Sequence, residues 1–338
     1  MQRLAQFVVA SLAALSLPPL AVSSPVEAQE RDIKFTLDFI ALGRHAPWYL
    51  AVGKGYFKEE KLNVTIVPSK GTADAIAALE ANTSEFAFVD IPSLIAGGSS
   101  AGSVRIVAVN YQKPPYCVFS LNPGANIRSA KDMAGMELGS STASFVPRIH
   151  QAFMKMNGVD PSTLKVVNID GSARVPMLAA KKVQAIDLFI MSEPAIKRAV
   201  QDAEPYCFLL GDHGLDIYSN SIGVRADIIE KFPEVVRGFV RAALRGWKDA
   251  LADPREAAKV QLQFLRALDP VVVAEEVLIL KRLAITPDTE KSGYGAMTKE
   301  KMQRTIDFIN DNVEVKGDKR TLANVMVEGF LPTEPIKP

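Results

Sequence analysis

Two cysteines, three histidines and two tryptophans are all that 338 residues contain of those types. Cys117 and Cys207 form no C-x-x-C pair, so no zinc or dithiol redox motif is present. His45, His150 and His213 are scattered. No H-E-x-x-H, no P-loop pattern and no dinucleotide fingerprint occurs, so no metal or cofactor is expected. A formal net charge of +1 provides no field of one sign to attract nucleic acid or a membrane surface. Internal repeats, low-complexity tracts and, beyond the N-terminal segment, apolar runs long enough to span a bilayer are also missing. One literal match remains: Gly98-Ser99-Ser100-Ala101-Gly102 fits G-x-S-x-G. A nucleophile elbow needs a strand before it and a helix after it. Here the helix-like "PSLIAGG" precedes and the strand-like "VRIVAV" follows, which reads as a turn.

What is present is an ordinary globular composition, 48% hydrophobic and 23% charged. The first residues stand apart. "MQRLAQFVVASLAALSLPPLAVSSPVEAQ" has one early Arg, an apolar run and Val26-Glu27-Ala28, which fits a small-residue cleavage site. Pro18 and Pro19 interrupt the run, against a membrane anchor. Residues 1–28 are expected to be a signal peptide cleaved near Ala28, which makes the protein periplasmic. In an oxidising compartment Cys117 and Cys207 could pair; equally, their apolar flanks "PYCVFSL" and "PYCFLL" suit buried thiols.

From Asp32 onward strand-like and helix-like segments alternate. "IKFTLDF", "NVTIVP", "EFAFVD", "VRIVAVNY" and "YCVFSL" read as strands, with helices from Pro47, at "TADAIAALEA" and at "PSLIAGG". A second set follows: "MELGSS", "KVVNID", "AIDLFI" and "YCFLL", with helices from Ser144, Ala173 and Pro194. The pattern predicts mostly parallel α/β sheets. From about Phe232 the periodicity turns helical, with Pro233, Pro254 and Pro270 at helix starts. Two prolines in "YQKPPY" mark a stiff crossing between lobes, and "DIYSNSIGV" a return. The expected layout is lobe I at 29–113 and 219–338, including the C-terminal helices, and lobe II at 114–218.

Ligands of open α/β sheets bind beyond the carboxyl ends of the strands. At those ends stand Asp38-Phe39, then Ser69-Lys70-Gly71-Thr72, Asp90, "GSSTAS" (139–144), Asp170-Gly171-Ser172 and Ser192-Glu193. Each polar group could simply cap a helix. Capping does not account for the rings of "GRHAPWYLAVGKGYF". Trp48 and Tyr49 are helix neighbours and cannot share one face, which leaves Trp48 open between core and pocket. The hydroxyls Ser140, Ser141, Thr142 and Ser144 at a helix start could hold an anion or a neutral carbonyl oxygen.

"HAPWYLAVGKGYFKEEKLNVTIVPSKGTADAIAALEANTSEFAFVD" resembles the opening of periplasmic solute-binding proteins of ABC importers. The branch is the one with nitrate, sulfonate, taurine and thiamine-pyrimidine-precursor binders. "AVNYQKPPYCVFSL", "KVVNIDGSARVPMLAAKKVQAIDLFIMSEP" and "RGWKDALADPREA" with "ITPDT" extend the resemblance over nearly all of the mature chain. The pyrimidine-precursor group is the most similar; where it has Asp-Trp, this chain has Phe39, a ring without the indole donor. Its Asn-Glu-Pro is Ser192-Glu193-Pro194 here. The resemblance implies a two-lobed type II binding protein and a pocket of Phe39, His45, Tyr49, Ser141, Thr142, Glu193 and Tyr218. Trp48, Gly71, Thr72, Asp90, Tyr111, Ser140 and Asn220 complete the candidate set.

The function this implies is not catalytic: a monomer closes on a small aromatic or heterocyclic nutrient, a thiamine-precursor-like pyrimidine, and docks on a membrane permease. One alternative is an oxyanion, an alkylsulfonate or nitrate, at "GSSTAS". Another is an enzyme like the fungal pyrimidine synthases on the same fold. The two separated cysteines and the export signal argue against the latter.

Overall fold

The computed structural model describes residues 30–141 and 144–338. The signal-peptide reading and Thr142 lie outside the described residues. The chain forms two five-stranded sheets. The first contains β1 (Arg31–Thr36), β2 (Leu62–Val67), β3 (Phe86–Asp90) and β4 (Val104–Val109). The second contains β5 (Tyr116–Asn122), β6 (Glu137–Ser140), β7 (Lys165–Asn168), β8 (Ala185–Phe189) and β9 (Glu204–Leu209). The chain then returns to the first sheet as β10 (Asn220–Arg225). The strand orders are β2-β1-β3-β10-β4 and β7-β6-β8-β5-β9.

Each sheet is parallel except for one strand. β10 runs antiparallel between β3 and β4, and β5 antiparallel between β8 and β9. These are the two strands that begin directly after a crossing, between Val109 and Tyr116 and between Leu209 and Asn220. The two crossings touch: the amides of Asn110 and Tyr111 both donate to the Asn220 carbonyl, each at 2.9 Å. Cys117 and Cys207 form a disulfide between neighbouring β5 and β9.

The C-terminal helices start where proline and caps put them. Pro233–Ala252, Pro254–Phe264 and Pro270–Ala284 each have Pro in the first turn. Asp253 and Asp269 side chains accept the first free amides of the second and third. The 20-residue helix buries Val236, Phe239, Val240, Ala243, Leu244 and Trp247 at helical spacing. Phe239 stacks on Phe86 of β3 at 4.0 Å between centroids. Gly246 lets this helix lie against helix Ala46–Gly53: a Cβ there would come within 2.5 Å of the Pro47 carbonyl. Helix Pro270–Ala284 reaches both halves, through Glu276 to the Arg44 amide and through Glu275 to Arg198. Gly98–Ala101 is a 3-10 turn between a helix and β4, so the G-x-S-x-G match has no elbow geometry.

Candidate functional site

A cavity opens between the sheets, where the parallel strands of both end. Asp38 and Phe39 follow β1, Lys70 to Ala73 follow β2, and Asp90 ends β3. From the other side come Ser144, Phe145 and Val146 after β6, Arg174 after β7, and Asp187, Leu188 and Phe189 of β8 with Ser192 beyond it. Leu42, Arg44 and Ser93 complete the lining. The placement follows from topology, since parallel strands deliver their carboxyl ends and the following helix starts to one edge.

Three half-buried phenylalanines give the cavity its apolar surface: Phe39 from the first sheet, Phe145 and Phe189 from the second. Phe39 crosses the gap to Gly171, where an added Cβ would lie 2.3 Å from the ring. Phe189 carries the Arg44 guanidinium over its face at 4.9 Å, a cation–π contact between the two halves.

The polar surface is built from two ion pairs and a third carboxylate. Arg44 Nη1 donates to Asp38 Oδ2 at 3.0 Å, and Asn220 Nδ2 to the same oxygen at 2.6 Å. His45 Nδ1 accepts from the Leu42 amide, so Nε2 carries the proton it donates to Asp38 Oδ1 at 2.9 Å. Burial pushes the Asp38 carboxyl up, but Arg44 and His45 outweigh it and hold the group at about 2. Burial and the nearby Arg44 pull His45 down to about 4, so it is neutral at pH 7. On the second sheet, Arg174 Nη1 donates to Asp187 Oδ1 at 2.8 Å and Ser140 Oγ to Oδ2 at 2.6 Å. Burial raises the Asp187 carboxyl against the opposing pull of Arg174.

Asp90 has no cationic partner among the described residues. Ser93 donates its amide and hydroxyl to Oδ1, and Tyr116 and Ser219 donate hydroxyls to Oδ2. Burial therefore raises its carboxyl. Behind Arg44, Glu276 Oε2 accepts the Arg44 amide at 2.9 Å; burial pushes that carboxyl up to about 7.

Of the candidate set drawn from sequence, Phe39, Gly71, Thr72 and Asp90 line this cavity, as do Asp38, Lys70, Ser144 and Ser192 from the strand ends. His45, Asn220 and Ser140 stand one layer behind, holding Asp38 and Asp187. Tyr111 is buried behind Arg44, accepting from its Nη1 at 3.4 Å. Trp48 is core, against Phe35, Phe88 and Trp247. Tyr49 packs on Phe264, away from the cavity. The Trp48 and Tyr49 rings thus serve helix packing, because the helix presents those faces to Pro233–Ala252 and its successor, while His45 holds Asp38. Glu193 sits outside the lining, paired with Lys197 one turn on along its own helix. Tyr218 is buried with its hydroxyl accepting the Thr298 amide. Ser141 is bonded but is not part of the lining.

Sequence reading passed over Arg44, Arg174, Asp187, Phe145 and Phe189. A signal existed for one of them: Asp187 is the only charged residue in the strand "AIDLF", and a buried acid needs a partner.

The NMT1/THI5 like family model matches residues 43–257. Riboflavin-binding protein RibY of Chloroflexus aurantiacus is 26% identical over 257 residues, 73% of this chain and 70% of that one. The formylaminopyrimidine-binding protein of Halalkalibacterium halodurans is 23% identical over 291 residues, 85% and 87%. The alkanesulfonate-binding protein SsuA of Xanthomonas axonopodis pv. citri, bound to MOPS, superimposes with a TM-score of 0.68 at 13% identity, covering 89% of this chain and 100% of that one. By sequence match and by architecture, this chain belongs to the NMT1/THI5-like family and has the periplasmic binding-protein fold.

Proposed function

We propose that this protein is the extracytoplasmic solute-binding component of an ABC importer, and that it captures a small flat heteroaromatic nutrient by lobe closure. The lobes are residues 29–113 with 219–338 and residues 114–218, hinged at the two touching crossings. The observation that carries this reading is the set of three phenylalanines from both halves around one polar-floored cavity. A ring held between such walls gains about 0.5–1.5 kcal/mol per aromatic pair beyond area burial. A micromolar complex requires about 8 kcal/mol, within reach of several such contacts and a few hydrogen bonds. Two relatives carry the names of flat nitrogen heterocycles, in keeping with a thiamine-precursor-like pyrimidine or a larger fused ring. Closure follows if the ligand touches both lobes, because only differential contact shifts the equilibrium. The closed form would then present itself to a membrane permease, the protein itself acting as a monomer released into the periplasm after signal-peptide removal.

The oxyanion reading has Arg44, Arg174 and Lys70 in its favour. Both arginines are already ion-paired, and Asp90 sets a carboxylate against the Lys70 charge, so the lining offers an anion no net attraction. The enzyme reading requires free thiols for a cysteine-rich metal segment, whereas both cysteines are spent in the disulfide. Calorimetric titration with riboflavin, formylaminopyrimidine, taurine and octanesulfonate separates the readings. Binding of a heteroaromatic at micromolar or lower Kd with no heat from the sulfonates is expected; the reverse pattern overturns the proposal.

A further inference from the structure

Two guanidinium groups enter the cavity from opposite halves, and each has donors left over. Arg44 and Arg174 side chains are only 3% and 6% exposed, and both line the cavity. Arg44 commits Nη1 alone, to Asp38 and Tyr111; among the described residues its Nε and Nη2 have no acceptor. Arg174 commits Nη1 to the Asp187 side chain and carbonyl and Nε to the Ile169 carbonyl at 3.4 Å. Its Nη2 likewise has no acceptor among the described residues. A guanidinium presents five donors in a rigid plane, and donors removed from bulk water need acceptors. Both groups therefore ask for acceptor atoms from whatever fills the cavity.

The charge state of that acceptor is set by the neighbours. Each arginine is neutralised by its own aspartate, so neither offers the uncompensated positive charge that an anion needs. A neutral carbonyl oxygen accepts equally well and does not suffer repulsion from Asp90. The carboxylates beside them are buried, Asp38 2% and Asp187 0% exposed, and both oxygens of each already accept, from Arg44, His45 and Asn220 and from Arg174 and Ser140. What each half offers the ligand is therefore a guanidinium donor, and its complement is a C=O.

We propose that the ligand is an oxo-heterocycle: a flat ring with two carbonyl oxygens, one held by Arg44 of the first half and the other by Arg174 of the second. This rests on the heteroaromatic reading above and narrows it, by setting an oxo-substituted ring above an amino-substituted one. It also gives closure a chemical cause, since the two carbonyls are satisfied together only when the halves meet.

The test compares two pteridines that share a ring system. Lumazine carries carbonyls at positions 2 and 4; 2,4-diaminopteridine carries amino groups there. Titrated into the wild-type protein at pH 7, lumazine binds at least 100-fold more tightly. Arg44→Lys and Arg174→Lys retain the charge but lose the planar fork. Each weakens lumazine at least 10-fold and shrinks the preference, with thermal melting confirming the fold. The wild-type comparison stands whether or not the variants fold. A ratio near one, or one favouring the diamine, overturns the carbonyl assignment while leaving heteroaromatic capture intact. If octanesulfonate or taurine binds and no heteroaromatic does, the reading beneath it fails as well.

Discussion

His150 lies fully buried in helix Val146–Met156, and neither ring nitrogen has a hydrogen-bond partner. Burial alone pulls it down to about 3. An unfolded histidine titrates near 6.5. The unfolded state therefore binds the extra proton first as pH falls, and stability present above pH 6.5 is lost progressively toward pH 3. At pH 5 one such group costs about 2 kcal/mol. His45, held at about 4, acts in the same direction. Glu276 opposes them: its folded-state value of about 7 favours the folded state at low pH and is lost as pH rises through 7. The net curve mixes these, so the difference between two proteins is the cleaner reading. His150→Leu, close in volume, is expected to lessen the loss of stability between pH 7 and pH 5 by about 2 kcal/mol. Urea denaturation at the two pH values measures it, and an unchanged difference would show that the ring is not neutral and buried. The same residue marks what sequence reveals at this scale. A helix from about Ser144 was legible in the sequence, and the structure adds that it buries His150. Glu193, expected in the pocket, stands outside the cavity lining, and Trp48, open between core and pocket from sequence, packs in the core. Which way a side chain leaves a helix start depends on a register that a one-residue shift changes: the first helix begins at Ala46, not Pro47.

At the scale of elements, the strands and long helices were legible because period-two and helical apolar patterns are long enough to average over exceptions. Pro233–Ala252 is recovered to its ends, being bounded by a proline and an aspartate cap. The antiparallel strands β5 and β10 were not foreseen, since strand direction depends on which sheet the chain joins after a crossing. Nor were the ion pairs of the cavity. Asn220 holds Asp38 across 182 residues, a pairing no local pattern encodes. One element-scale contact yields a direct test. The turn Gly171–Ala173 meets the Phe39 ring of the first half, with room for hydrogen alone at Gly171. Gly171→Val is expected to leave the fold of each half intact and to weaken riboflavin or lumazine at least 10-fold by holding the halves apart. Adding Phe39→Ala should widen the gap and recover part of the closure, though not the lost ring contact. Calorimetry on the single and double variants checks this; wild-type affinity in Gly171→Val would remove the Phe39–Gly171 contact from the closing surface.

At the scale of the molecule, two sheets are joined by two short crossings that bond to each other, and every parallel strand of both sheets ends at the gap between them. A buried hydrogen-bond chain runs through that joint. Arg44 bonds Asp38, Asp38 bonds Asn220, Asn220 bonds Ser219, and Ser219 bonds Asp90, which Tyr116 meets from the second sheet. The residues that shape the cavity and those at the crossings are thus one connected network, the path by which the proposed closure would feel ligand contact. The direct measurement is small-angle scattering of the protein, free and saturated with the heteroaromatic that titrates most tightly. A smaller radius of gyration in the bound state than in the free state is the predicted result. Superimposable profiles at proven saturation would contradict capture by closure.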